Sequence, residues 1–328
     1  MTAADLKLRI AQSQGLLIAI AVFALMFTLY ISNHPAGLTV PVLTTAANKA
    51  VLLALVAMAQ TLPVLTGGLD LSVGMVFVMT NCLASTLVSG NPLEVAAGIV
   101  VVLLAGALAG FVNGAIVVYG RLQPIITTLA TGAVYYGIAL LLRPVPGGDV
   151  QEDLADFMTY TVVEVVPTSL VLLLAVVLLI WLPFRNSVVG RGCYAVGSSE
   201  GAAYMSGVTV DRSRLAAYTL AGLLAGIAGL MLTFVTFSGE ASAPIGGTYT
   251  LNSIAAVVIG GTSLYGGAGG AIGSIFGAFI LRTIDDLLFV FDLPPLWQPL
   301  FQGVVLLGAV SLGAARVFRI KNRLELFN

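Results

Sequence analysis

An aspartate set in apolar surroundings is the most pointed chemical feature of this chain: Thr66-Gly-Gly-Leu-Asp-Leu-Ser-Val-Gly74. A carboxylate in hydrocarbon costs about 2.5–3.5 kcal/mol on insertion scales, so Asp70 needs a partner or a wet surrounding. Gly67, Gly68 and Gly74 read as a break between two helices, with Ser72 able to cap the second. Two roles fit Asp70. One is a gate or hinge; the other is a plain cap that satisfies free N–H groups where the next helix begins. Neutral polar residues also interrupt other apolar runs: Gln60, Asn81, Asn113, Thr127, Thr128, Thr131, Asn252 and Ser253. They suit a pathway for a hydroxyl-rich neutral solute, and serve equally well as hydrogen bonds between helices. Arg282, Asp285 and Asp286 are spaced for an ion pair within one helix.

A second polar feature is the island Arg185–Arg214, which carries Arg185, Arg191, Glu200, Asp211, Arg212 and Arg214. At its centre, Ser198–Gly207 reads as a short helix. A serine can cap its start, Glu200 suits the positive end of the helix dipole, and Gly207 supplies a left-handed stop. Two turns of helix hold no core of their own. The segment is therefore either a solvated loop or a docking element that passes force from a soluble partner to the rest of the chain.

Most established reaction chemistry is missing. There is no Walker lysine motif, no HExxH, no Gly-x-Ser-x-Gly and no cysteine pair at metal spacing. Nor is there an arginine ladder or a filter-like TVGYG loop. Cys82 and Cys193 have no evident pairing partner, and His34 beside Pro35 reads as a solvated loop residue. With no paired catalytic groups and no buried acidic chain, the residues argue against an enzyme and against ion or proton coupling. Any uphill transport then draws its energy from another subunit.

The elements that must position these residues are apolar helices. Of 328 residues, 59% are hydrophobic and 9% charged, against roughly 25% charged in soluble domains. The expected fold class is therefore an all-α polytopic membrane protein, residues 1–328 forming one transmembrane domain. The runs are too long and unalternating for a closed barrel. The net charge of −1 speaks against nucleic acid as a partner, and membrane lipid is the expected surrounding. About ten spans are expected, at 15–31, 46–66, 70–89, 93–118, 124–142, 162–184, 214–237, 249–264, 268–290 and 297–318. The first is taken as a retained span rather than a signal peptide.

Placing the N-terminus inside puts eleven of the 14 Lys and Arg residues on the inner side, as the positive-inside rule requires. Residues 1–14, the island 185–214 and the tail 319–328 then lie in the cytoplasm. Glu94, Asp149, Glu152, Asp153, Asp156, Glu164, Glu240 and Asp292 gather outside. Glycines recur at helix-packing spacing as Gly106-x3-Gly110-x3-Gly114, Gly222-x3-Gly226 and Gly269-x3-Gly273-x3-Gly277. The double repeats fall five spans apart, each preceded by a Gly-Gly pair, Gly67-Gly68 and Gly246-Gly247. Two related halves of inverted topology, spans 2–5 and 7–10, are expected.

Four stretches together resemble the membrane permease subunits of ribose-type ATP-binding-cassette (ABC) sugar importers. They are Gly67–Gly74, Leu122–Leu129 (LQPIITTL), Gly190–Val208 (GRGCYAVGSSEGAAYMSGV) and Leu251–Gly269. Two positions differ from the usual pattern: Ile125 follows Pro124 where a Phe is common, and Cys193 replaces a Pro or Ile. The resemblance implies a permease with no catalytic site, acting as a homodimer or with a paralogue in the bacterial inner membrane, both termini cytoplasmic. A cytoplasmic ABC ATPase with two nucleotide domains would use ATP and Mg, and a periplasmic sugar-binding protein would deliver a monosaccharide or related polyol. Carried over by position, Tyr194, Gly197, Ser198, Ser199, Glu200, Ala202, Ala203 and Gly207 form the region that couples to the ATPase. Gly68, Asp70, Ser72, Gly74, Asn113, Thr127, Asn252 and Ser253 lie near the pathway or gate. Permeases for nucleosides or branched-chain amino acids are the neighbouring alternative, and an ion-coupled secondary transporter is a more distant one.

Overall fold

The computed structural model describes residues 14–305, 307 and 308. The body of the chain is helical: α1 (Gln14–Asn33), α2 (Val40–Leu65), α3 (Val73–Leu87), α4 (Pro92–Tyr119), α5 (Pro124–Leu142), and, after a smaller helix α6 (Glu152–Thr159) and a short β-hairpin, α7 (Thr168–Asn186). The island folds as α8 (Val188–Ser198) and α9 (Glu200–Met205), followed by α10 (Val210–Thr236), α11 (Ala243–Ile259) and α12 (Ala271–Val290). Six of these, α1, α2, α4, α5, α7 and α10, are long and apolar enough to cross a membrane. The shorter α3 and α11 are apolar, and α12 carries Arg282, Asp285 and Asp286. Residues 298–305 are helical; positions 306 and 309–318 of the tenth expected span lie outside the described residues, as do 1–13 and the tail 319–328.

Helix α2 is the most enclosed of the six long apolar helices; every residue from Val51 to Leu65 is buried. It packs on α10, α11 and α12, while α10 packs on α2, α3 and α4. Glycine makes the closest of these approaches. A methyl on Gly110 would overlap the Tyr218 carbonyl oxygen, and one on Gly222 would overlap that of Gly106. The glycine stripes of α4 and α10 therefore face each other, backbone on backbone, where lipid offers no hydrophobic drive. Gly273 and Gly277 of α12 meet Gly260 and Ala256 of α11 in the same manner.

Several boundaries differ from expectation. The 249–264 segment is the helix 243–259, so Gly246 and Gly247 lie inside it rather than opening it. Gly260 and Gly261 end that helix, with Gly261 at φ +82° and Thr262 N donating to Val257 O at 3.0 Å. Gly269 lies in the following loop at φ +110°, outside the ninth helix, which starts at Ala271. The 70–89 segment is helical only from Val73, because residues 66–72 are an ordered non-helical link.

The links sort to two ends of the bundle. At the island end, Gly15 touches Gly261, and Gly197 touches Leu65 and Gly267. At the far end, Gly147 pairs with Gly239, Asn48 donates to Thr159 O at 2.7 Å, and Lys49 lies 3.7 Å from Asp286.

Candidate functional site

Two polar centres emerge from this frame. The inner one begins where α2 stops. Gly67, at φ +80°, closes a left-handed cap in which Gly68 N donates to Pro63 O at 3.0 Å and Gly67 N to Val64 O at 2.9 Å; only glycine takes that φ without strain. The chain then runs through Asp70, which is 2% exposed. Asp70 Oδ1 accepts from Ser72 N at 2.8 Å and Ser72 Oγ at 2.6 Å. Asn113 Nδ2 of α4 donates to Ser72 Oγ at 2.7 Å and reaches Asp70 Oδ2 at 3.5 Å. Tyr135 of α5 donates to Asn113 Oδ1 at 3.0 Å and to Ala109 O at 2.8 Å. From α2, the Gln60 amide spans the Asp70 backbone, donating to its O at 2.8 Å and accepting from its N at 3.3 Å. Thr128 Oγ1 accepts from Leu71 N at 2.9 Å. The bend is thus tied to three helices by hydrogen bonds, which satisfy the polar groups of an irregular segment buried inside an apolar bundle.

Asp70 caps the link, while Ser72 at the N-cap position gives its side chain to Asp70 rather than to α3. Of the residues expected near the pathway, Gly68, Asp70, Ser72 and Asn113 come together. Gly74 is a packing joint: a methyl there would overlap Gly246 O of α11, and its N donates to Thr250 Oγ1 at 3.1 Å. Thr127 is buried, and its hydroxyl has no partner among the described residues. Asn252 and Ser253 are buried on α11, apart from the Asp70 network; Ser253 Oγ bonds Thr250 O in its own helix at 2.7 Å.

The second centre is the island. Ser187 caps α8 through Gly190 N at 3.0 Å. Ser198 ends that helix rather than starting the next, and Ser199 caps α9. Gly207, at φ +79°, stops α9, with Val208 N donating to Ala203 O at 3.0 Å and Val208 packing near Ala203. Ala203 is buried against Val196 and Val210, so it faces the body of the protein. The outward face carries Tyr204 and Met205, 73% and 86% exposed. Glu200 meets Arg214 of α10 in a two-pronged pair, Nη1–Oε1 2.9 Å and Nη2–Oε2 2.6 Å. Tyr194 donates to Gly269 O at 3.0 Å, and a methyl on Gly197 would overlap Leu65 O and Gly267 N. Ala202 supplies the N–H that Ser199 caps. Cys193 is buried in the island, and desolvation pushes its thiol up to about 12, which keeps it protonated and inert.

Sequence spacing did not reveal Arg214 as the partner of Glu200, because 14 positions separate them. Tyr135 and Tyr218 were also missed, since a tyrosine in an apolar helix reads as core. Gly266 and Gly267, both at positive φ, were legible only as part of a glycine-rich loop.

Fold and centres together define a polytopic helical membrane protein with an ordered polar break inside its bundle and a short helix exposing Tyr204 and Met205 at one end. Residues 42–310 match the family described as the branched-chain amino acid transport system / permease component, and the chain belongs to that family. It is 34% identical over 262 residues to the ribose import permease protein of Haemophilus influenzae, covering 78% of this chain and 80% of that one. The Escherichia coli ribose import permease is 34% identical over 261 residues, with coverage of 78% and 80%. An autoinducer 2 import system permease of Yersinia pseudotuberculosis is 35% identical over 271 residues, covering 80% of this chain and 74% of its own. No solved structure matches the chain.

Proposed function

We propose that this chain is the transmembrane subunit of an ATP-driven ABC importer for a monosaccharide or related polyol. It acts as one of a pair of permeases between an extracytoplasmic binding protein and a cytoplasmic ATPase, where ATP and Mg do their work. The observation that carries this reading is the island. Helix α9 presents Tyr204 and Met205 outward while Glu200 and Ala203 fix it to the bundle and Gly197 seats the preceding α8 against Leu65 and Gly267. Such an element has something to gain only from a partner that pushes on it. The ribose import permeases among its relatives supply the substrate class.

The same reading places ten spans in the bacterial inner membrane with both termini inside. Its support is that successive links alternate between the two ends, the basic island at one and the acidic 149–164 region at the other. Two inverted halves, α2–α5 and α10 onward, are supported by exchanged contacts. Helix α2 packs on α12 as α10 packs on α4, and α2 packs on α11 as α10 packs on α3. ATP closure of the ATPase moves α9, and the halves rock between outward- and inward-facing states.

Reconstitution tests it. Proteoliposomes holding the chain with its co-encoded ATPase and binding protein take up labelled ribose or a related sugar only with ATP. Uptake by the chain alone on an ion gradient would sink the reading.

A further inference from the structure

The loop between α11 and α12 lies at the island end and is built rigid. Gly266 N donates to Ser263 O at 3.1 Å, closing a turn, and Tyr265 N donates to Ser263 Oγ at 3.2 Å; a serine hydroxyl in that place fixes such a turn. At the base of the loop, Ser263 N donates to Ala268 O at 3.0 Å and Gly270 N to Thr262 Oγ1 at 3.0 Å. The loop is also wedged between two other elements. Gly267 N donates to Leu65 O, at the end of α2, at 3.0 Å, and Tyr194 of α8 donates to Gly269 O. A methyl on Gly266 would stand 2.8 Å from Gly67 N and 2.9 Å from Gly197 Cα, and one on Gly267 would overlap Ser198 Oγ.

On this fixed support one large side chain stands in the open. Tyr265, at the tip of the turn, is 72% exposed, much as Tyr204 is on α9. An aromatic on a rigid support loses little freedom on binding, and such residues anchor contacts between proteins. Lipid is the competing occupant, since tyrosine also gathers at membrane interfaces. The place of the loop favours protein. It lies between the end of α8 and the end of α2, a helix buried from Val51 to Leu65, and so under the bundle rather than on its rim.

We propose that the Thr262–Gly270 loop, through Tyr265, is a second contact for the cytoplasmic ATPase, beside α9. The proposal rests on the importer reading above. No Asp, Glu, Lys or Arg occurs between Glu240 and Arg282, so the contact is apolar and calls for an uncharged hollow on the ATPase. A single helix of six residues leaves a partner free to pivot about it; a rigid second point removes that freedom.

The test uses the complex of the full chain with its co-encoded ATPase. The photo-crosslinking residue benzoylphenylalanine is placed at position 265, at 204 and, as a control, at 163 in the acidic end. Positions 265 and 204 should both cross-link to the ATPase on illumination, and 163 should not. Cross-linking from 204 without 265 overturns the proposal. Cross-linking from neither removes the docking role of the island itself, and this proposal with it. A second measurement separates contact from folding. Tyr265→Asp should weaken binding of the ATPase to the solubilised permease about tenfold with the melting temperature unchanged, while Tyr265→Phe binds as the wild type does. Wild-type affinity in Tyr265→Asp overturns the contact.

Discussion

Asp70 is the residue whose burial must be explained, since a carboxylate inside a bundle is retained only where its partners compensate for lost water. Ser72 and Asn113 do so, and Tyr135 fixes Asn113 in turn, so the network is closed on itself rather than aimed at an open cavity. That geometry assigns Asp70 to holding the link between α2 and α3. Replacing it by alanine strands the Ser72 N–H and hydroxyl, and a stranded buried donor costs about 1–3 kcal/mol. Asp70→Asn keeps an acceptor oxygen for Ser72. The expected order of melting temperatures in detergent is therefore wild type, then Asp70→Asn, then Asp70→Ala. An Asp70→Ala protein that melts with the wild type would show that the link does not depend on this carboxylate.

At the scale of elements, α9 matters because so little holds it. Its six residues make too few internal hydrogen bonds to persist alone, so its position comes from the Ala203 contact and the Glu200–Arg214 fork. An exposed ion pair contributes little stability, about 0–1 kcal/mol, yet two parallel hydrogen bonds fix orientation. Glu200→Arg and Arg214→Glu should each leave the permease folded but raise the ATP hydrolysed per sugar imported, and the double reversal should recover most of the coupling. If the reversed pair couples as poorly as either single variant, the fork is not the strut. The helix itself was legible beforehand, because Ser199, Glu200 and Gly207 are local signals. The fork was not, because it joins residues on different helices. The same contrast holds for α3 and α11. Gly67 announced a break that the cap geometry bears out, whereas the apolar run through Ile259 hid a helix end that glycines 260 and 261 impose. Asn113 and Asp70 were both singled out in the sequence, but only the fold brings them to hydrogen-bonding distance.

At the scale of the whole molecule, apolar composition and the long helices were plain from the chain alone, and the pairing of helices was not. Glycine stripes on α4 and α10 announced close packing without naming each other as partners; the exchanged contacts of α2 with α12 and α10 with α4 supply that pairing. Alternation of the links between two ends then carries the proposed sidedness, and it can be checked without knowing the substrate. Val163, in the turn of the hairpin at the acidic end, and Tyr204, on α9, are both exposed. In intact cells with the outer membrane permeabilised, a membrane-impermeant maleimide should label Val163→Cys and spare Tyr204→Cys. In inside-out vesicles lacking the ATPase the pattern should reverse. Labelling of both positions from one side would mean that an even number of crossings separates them, and the two-ended arrangement of basic island and acidic hairpin would then lie along the membrane rather than across it.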